Sequence, residues 1–287
     1  MSSVQEIRHH ISAVTDTSKI TRAMYLISSA KMKRAMSMYE QNHVYSQKVR
    51  SVIRFLLENT DDGLTNPYFR QHPGKRAAFL VIAADKGLCG GYNAEILKLA
   101  QRTIEGGDFN QRFLFTVGYV ASEHFARVGL NPDVHYLHII QDPNLGSARE
   151  ITYELCELFR SKHLDEVYVV YTELLKGQLI PRVARLLPIL ERDFITAEIL
   201  HEHTGNLIYH PSSAGALDEI THHYLIGIVY STLVQSFASE QRARMTAMEA
   251  ATQNADEMLA DLKLELNHAR QAAITQELTE IISGSSQ

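Results

Sequence analysis

All seven prolines of this 287-residue chain lie between Pro67 and Pro211. A proline in a helix interior removes a backbone donor and clashes with the preceding turn, at a cost of about 3 kcal/mol. Both flanks are therefore free to form long helices, and the centre is not. The first flank runs from about Ser3 to Leu57. Ile7, Ile11, Val14, Ser18, Thr21, Tyr25, Ser28, Met32, Ala35 and Tyr39 recur along it in alternating steps of four and three. That is the seam of a left-handed coiled coil. The last flank runs from Pro211 to about Ser283. Leu225, Val229, Leu233 and Phe237 open its stripe, and Leu259, Leu262, Leu266, Ala269 and Ala273 continue it. At 1.5 Å per residue the two helices would measure roughly 80 and 100 Å. Gly227 costs about 1 kcal/mol relative to alanine inside the second helix, and Gly284 is a suitable stop. Helices of this length are expected to shield one another as an antiparallel pair. The longer C-terminal one then outruns its partner.

Charge supports the pairing. Residues 1–57 carry nine basic and three acidic side chains, and residues 205–287 carry four basic and ten acidic ones. Segments of net +6 and −6 attract along a shared interface. No aromatic-interleaved or groove-reading motif accompanies the basic end, so nucleic acid is not the expected partner. With 45% hydrophobic and 21% charged residues, the composition is neither that of a disordered chain nor that of a membrane-spanning one. Cys89 and Cys156 are too few for a disulfide framework, which favours a reducing compartment.

The centre has another rhythm. AAFLVIAA (Ala77 to Ala84), RFLFTV (Arg112 to Val117) and EVYVVYT (Glu166 to Thr172) read as buried strands. AEILKLAQRTI, YVASEHFARVG and SAREITYELCELFRS read as helices between them. Such alternation predicts a Rossmann-like α/β domain with a largely parallel sheet. The division expected is an N-terminal helix at 1–57, a linker at 58–74, the central α/β domain at 75–205 and a C-terminal helix at 206–287. The fold class is thus α plus α/β: an antiparallel coiled coil of the terminal helices with the α/β domain between them.

Chemistry-bearing motifs are sparse. DKGLCGGYN (Asp85 to Asn93) follows a strand and precedes a helix, where glycines can present backbone amides to phosphate. It lacks both Gly-Lys-Ser/Thr and G-x-G-x-x-G, so a tight turn with close backbone packing is expected. Cys89 could act as a nucleophile if a base and an oxyanion site stood beside it; packing in the turn is the plainer role. The histidine clusters, His9-His10, His135 with His138, His201 with His203 and His222-His223, lack the set of three or four ligands that zinc favours. They are expected on solvated surface. No cofactor, metal or catalytic set is expected. A coiled-coil scaffold or adaptor with an α/β head is one function consistent with the pattern.

ITRAMYLISSAKMKRA (Ile20 to Ala35), DKGLCGGYN, and SEQRARMTAMEAATQNADEML followed by NHARQAAITQELTEIISG closely resemble the gamma subunit of F-type ATP synthases. DEVYVVY and the Leu186–Pro188 LLP are similar too, and the likeness spans the whole chain in order. The resemblance implies a non-catalytic rotor subunit of the central stalk. Its coiled coil would enter a ring of alpha and beta subunits, and its α/β domain would lie near the epsilon subunit and the membrane c-ring. It implies coupling of proton transport to ATP synthesis. It also implies beta-subunit contacts through Arg244, Arg270, Gln271, Thr275 and Glu277, with Met24 near the same contact. A lysine at position 24 would add a charge there and impair coupling. Small residues such as Ala272, Ala273 and Ser283 would keep the rotor end narrow. The helix starting at about Ser3, and the absence of a paired-cysteine insertion, favour a peripheral protein on the cytoplasmic face of a bacterial membrane.

Overall fold

The computed structural model describes residues 4–59, 66–194 and 212–284, apart from the side chains at 59, 277 and 280–284. Two long helices bracket a sheet. Helix α1 spans Val4–Asn59 and α5 spans Ser213–Gly284. No proline falls inside either, as the punctuation of the sequence requires. The chain packs as two units: Lys31–Ala243, and the paired ends Met1–Ala30 with Arg244–Gln287.

In the larger unit the sheet runs in the order β3-β2-β1-β4-β5. Strands β1 (Arg76–Ile82), β2 (Gln111–Val117), β3 (Val134–Tyr136) and β4 (Glu166–Leu175) are parallel, and β5 (Gln178–Leu187) returns antiparallel at the edge. Val81 stands level with Thr116 on one side and Val170 on the other. β1 reads as a continuous apolar run because it is covered on both faces. One face packs Ala77, Phe79 and Val81 under α2 (Tyr92–Gly106) and α3 (Tyr119–Arg127), through Ile96, Ala100 and Phe125. The other packs Ala78, Leu80 and Ile82 with α4 (Leu145–Arg160), the second half of α1 and the first half of α5. Crossovers to both faces give the doubly wound arrangement expected of the Rossmann-like pattern. Among residues 66–74, Asn66 caps a 3-10 turn at Pro67–Phe69, and Tyr68 is fully buried.

Leu225, Val229, Leu233 and Phe237 are all buried in this core, so the opening stripe of α5 faces inward. Gly118 takes φ 94° at the end of β2, and a Cβ there would fall 2.2 Å from the Ala83 carbonyl oxygen. Only glycine permits that approach.

In the smaller unit the first part of α1 pairs with the last part of α5. Thr21 Oγ1 lies 2.7 Å from Thr252 Oγ1, and Ser18 Oγ donates to Asp256 Oδ1 over 3.1 Å. As numbers rise on one helix they fall on the other, so the pair is antiparallel. Ile7, Ser18, Thr21 and Ser28 are buried, with Ile11, Val14 and Tyr25 half-buried between them. The four-three seam read from the sequence therefore faces α5. Arg22 and Asp256 add a basic–acidic contact at 3.6 Å, of the sense the charge asymmetry foretells.

Candidate functional site

Two places invite a functional reading: the crevice where the sheet's strand order reverses, and the exposed stretch of α5. The crevice lies past the carboxyl ends of β1 and β4, where open α/β sheets hold their ligands. Here α5 fills it. Tyr92 Oη donates to Ser236 O over 3.2 Å, Ser239 Oγ donates to Thr172 O over 3.0 Å, and Ala243 packs on Ala84, Cys89 and Tyr92. Burial pushes the Tyr92 phenol far above its usual range, which keeps it a neutral donor.

The DKGLCGGYN segment is a turn, but the expected close backbone packing is absent. Leu88 and Gly90 take φ 61° and 56°, yet a Cβ built at Gly87, Gly90 or Gly91 meets nothing within 4 Å. Of the three, only Gly90 uses the backbone freedom of glycine, and the packing falls to Cys89 and Tyr92. Cys89 is buried, and its Sγ accepts from Asn93 Nδ2 over 3.3 Å. The same Asn93 accepts from the Ala84 amide over 3.1 Å. The cysteine is part of the turn's own bonding. Cys156 is buried against Tyr68, and burial raises its thiol to about 12, far from a nucleophile's range.

The histidine expectation needs one correction. His9, His10, His135, His138 and His223 are exposed, but His222 is not. Its ring centroid lies 4.5 Å from that of Tyr153, its Nδ1 is 3.2 Å from Tyr68 Oη, and burial lowers its pKa. His222 faces inward because α4 and the 3-10 turn cover that side of α5. His201 and His203 lie outside the described residues. Among the described residues no cluster of three or more metal-ligating side chains occurs.

The exposed stretch of α5 has a different character. Past Leu262, which is buried, only Leu266 and Ala269 are half-covered, and every described side chain from Arg270 on is exposed. The antiparallel register explains this. With Thr21 facing Thr252, α5 outruns the described start of α1. Arg270, Gln271 and Thr275 sit on this stretch, and Thr275 Oγ1 donates back to the Gln271 carbonyl over 2.8 Å. Glu277 belongs to α5, but its side chain lies outside the described residues. Arg244 is buried and engaged, and Met24 is half-buried. Arg244 and Arg270 stand 26 residues apart on one helix, about 39 Å at 1.5 Å per residue. The six residues thus fall at separate levels and do not form a single patch.

The sequence reading did not single out the exposed apolar side chains here. Ile20, Leu26, Ile27, Leu264, Ile274 and Leu278 are each more than half exposed, from 53% to 62%. Their signal is an aliphatic residue off the seam. Side chains of this kind stand on both helices, and on α5 they alternate with the polar groups of its exposed stretch. Among the described residues no helix is long and apolar enough to cross a membrane.

These features define a class: a chain of two long terminal helices, paired at their ends, with an α/β unit between them in sequence. A family model described as ATP synthase matches residues 3–286. The ATP synthase gamma chain of Ruminiclostridium cellulolyticum is 38% identical over 293 residues, covering 99% of this chain and 98% of that one. The sodium ion specific gamma chain of Acetobacterium woodii is 34% identical over 296 residues, covering 98% and 97%. The chain belongs to the ATP synthase gamma-chain family. A chain of the Tetrahymena thermophila mitochondrial ATP synthase central stalk and c-ring superposes with a TM-score of 0.62 at 26% identity, covering 81% of this chain and 99% of that one. A rotor chain of the Euglena gracilis enzyme gives 0.64 at 14% identity, covering 94% and 98%, a likeness of fold.

Proposed function

We propose that this chain is the non-catalytic rotor of an F-type ATP synthase, carrying rotation between the membrane ion-driven ring and a catalytic alpha–beta hexamer. The observation that carries the reading is the largely exposed stretch of α5 beyond Leu262, which the described residues of the chain leave mostly uncovered, in a protein of this family. Rotation needs contacts that form and release. Exposed groups such as Arg270, Gln271 and Thr275 suit this, because a hydrogen bond exchanged with water is worth only about 0.5–1.5 kcal/mol net. Coupling follows if those contacts differ between the conformations of the beta subunit, since equal affinity shifts no population.

In this reading the beta subunit meets Arg270, Gln271, Thr275 and Glu277, with Arg244 and Met24 contributing at another level. The epsilon subunit and the c-ring engage the α/β body. The protein is peripheral at the cytoplasmic face of a bacterial membrane and is held there through partners. The plugged crevice at Ser236 and Tyr92 fits a body that serves as a rigid mount. The direct test is reconstitution. Added to alpha and beta subunits, the full chain should co-purify with them and restore ATP turnover, and the chain alone should turn over none. A mixture that neither assembles nor gains activity would refute the assignment.

A further inference from the structure

In the α/β unit, the second half of α1 meets the first half of α5 at Gly227. Asn42 Nδ2 donates to the Gly227 carbonyl over 3.0 Å, and a Cβ at 227 would come within 3.2 Å of Ser46 Oγ. Beside this contact lies a cavity of about 420 Å³ that both helices line together with Tyr171 of β4. Its lining carries the Arg50 guanidinium, which only donates, beside hydroxyl and amide groups that can donate or accept. Ser46, Arg50, Tyr171, Tyr224, Ser231 and Gln235 all carry donors, and no aspartate or glutamate is among the lining residues.

Among the described residues, two of these donors have no partner. Arg50 is anchored through Nη2, which donates to the Asp193 carbonyl, while its Nε is buried without a partner. Ser46 Oγ is buried without a partner as well. A buried donor left unsatisfied costs about 1–3 kcal/mol, and native structures rarely leave one unexplained. Two carboxylates stand near but outside the lining: Asp193 Oδ2 accepts from the Leu190 amide over 3.1 Å and Glu173 pairs with Arg182, and their charges still reach Tyr224 and Tyr171 respectively. Burial raises both phenols, with Arg50 pulling the other way on Tyr224. Both therefore stay protonated and able to donate.

A carboxylate ligand is planar and presents two oxygens, which suits donors on one side of it better than donors spread over α1, α5 and β4. A phosphate group presents three or four, and an anchored guanidinium matches its geometry. The geometry points to a binding site for a phosphate-type oxyanion in this cavity, filled by inorganic phosphate or by the phosphate of a small phosphomonoester. The space exceeds that of the anion alone. The organic part of a phosphomonoester would lie against Tyr171, Tyr224 and Ile228. The site stands independently of the rotor assignment, since all its lining belongs to one unit and invokes no other subunit.

Calorimetric titration of the full chain in phosphate-free buffer tests this, with inorganic phosphate and phenyl phosphate as probes and acetate and phenol as controls. Saturable one-site binding is expected for at least one phosphate probe, at least about tenfold tighter than either control. Arg50→Gln should weaken it by about tenfold or more. Ser231→Glu, which places a negative charge in the lining, should abolish it while the circular dichroism spectrum stays unchanged. If Arg50→Gln misfolds, Ser231→Glu and Ser46→Ala decide. Equal affinity for the two phosphates identifies free phosphate as the occupant, and tighter phenyl phosphate identifies a phosphomonoester; both uphold the site. No saturable phosphate binding, tighter acetate, or unchanged affinity in the folded variants would overturn it.

Discussion

Between the paired ends, Met1–Ala30 with Arg244–Gln287, the seam sets Ser18 against Asp256 and Thr21 against Thr252 and also buries Ser28 and Ala255, and among the described residues its larger buried apolar side chains are few: Ile7, Met245, Met248 and Leu262. In Lys31–Ala243, Phe79, Leu80, Phe115, Phe125, Ile151 and Phe159 are all at or below 1% exposure on two faces of one sheet. Small polar seams gain little from burial and keep helices slim; dense aromatic and aliphatic cores gain much and resist deformation. The contrast separates two jobs. The α/β unit provides for its own rigidity, and the paired ends leave much of their described surface exposed.

Truncation in each region should break or confirm that contrast most strongly. Phe79→Ala removes a ring stacked on Tyr168 at 5.5 Å and should cost about 3–5 kcal/mol in denaturant unfolding. Leu262→Ala, in the paired ends, should cost less than half as much; equal losses would end the distinction. Next in size, Gly118→Ala should cost on the order of 3 kcal/mol, because positive φ and a backbone clash act together. Gly90→Ala has the φ without the clash and should cost only about 1 kcal/mol. Thermal melts of the two variants side by side would measure the difference.

A smaller effect belongs to pH. Burial depresses His222, against the pull of Asp218 and Glu219, so the unfolded chain binds its proton more readily than the folded one. Stability should therefore fall as pH drops below about 6.5, the unfolded value. His222→Asn should flatten that slope in melts between pH 7.5 and 5.5, and an unchanged slope would remove His222 as its source. The smallest effect on stability is expected at Met24→Lys. A half-buried side chain on a helix can turn its charge to water, so the melt should move by no more than about 0.5 kcal/mol. In the assembled complex the same variant should lower protons pumped per ATP, and full pumping would count against a coupling role for that position.

Much of this contrast is legible in the sequence. The proline-free flanks announce α1 and α5, and the four-three spacing of Ile7 to Tyr39 marks residues that are buried or half-buried. β3 is only three residues long, too short to show a period. β5 contains Pro181 and alternates poorly, because an edge strand tolerates both. The division near residues 30 and 243 leaves no trace, since both helices run through it without a breaker. For the candidate contacts, residue type cannot tell buried Arg244 from exposed Arg270; the antiparallel register decides that, and register depends on both helices at once. The plug of the sheet crevice by Ser236 and Ser239 is equally invisible, because small polar residues on a helix carry no address.

Rotation itself tests the central claim most directly. Cys89 and Cys156 are buried, so Arg102→Cys on the exposed face of α2 offers a selective attachment point for a bead. With the alpha–beta hexamer fixed to a surface, ATP should drive the bead around in one direction. Hydrolysis at full rate with the bead stationary would contradict the account.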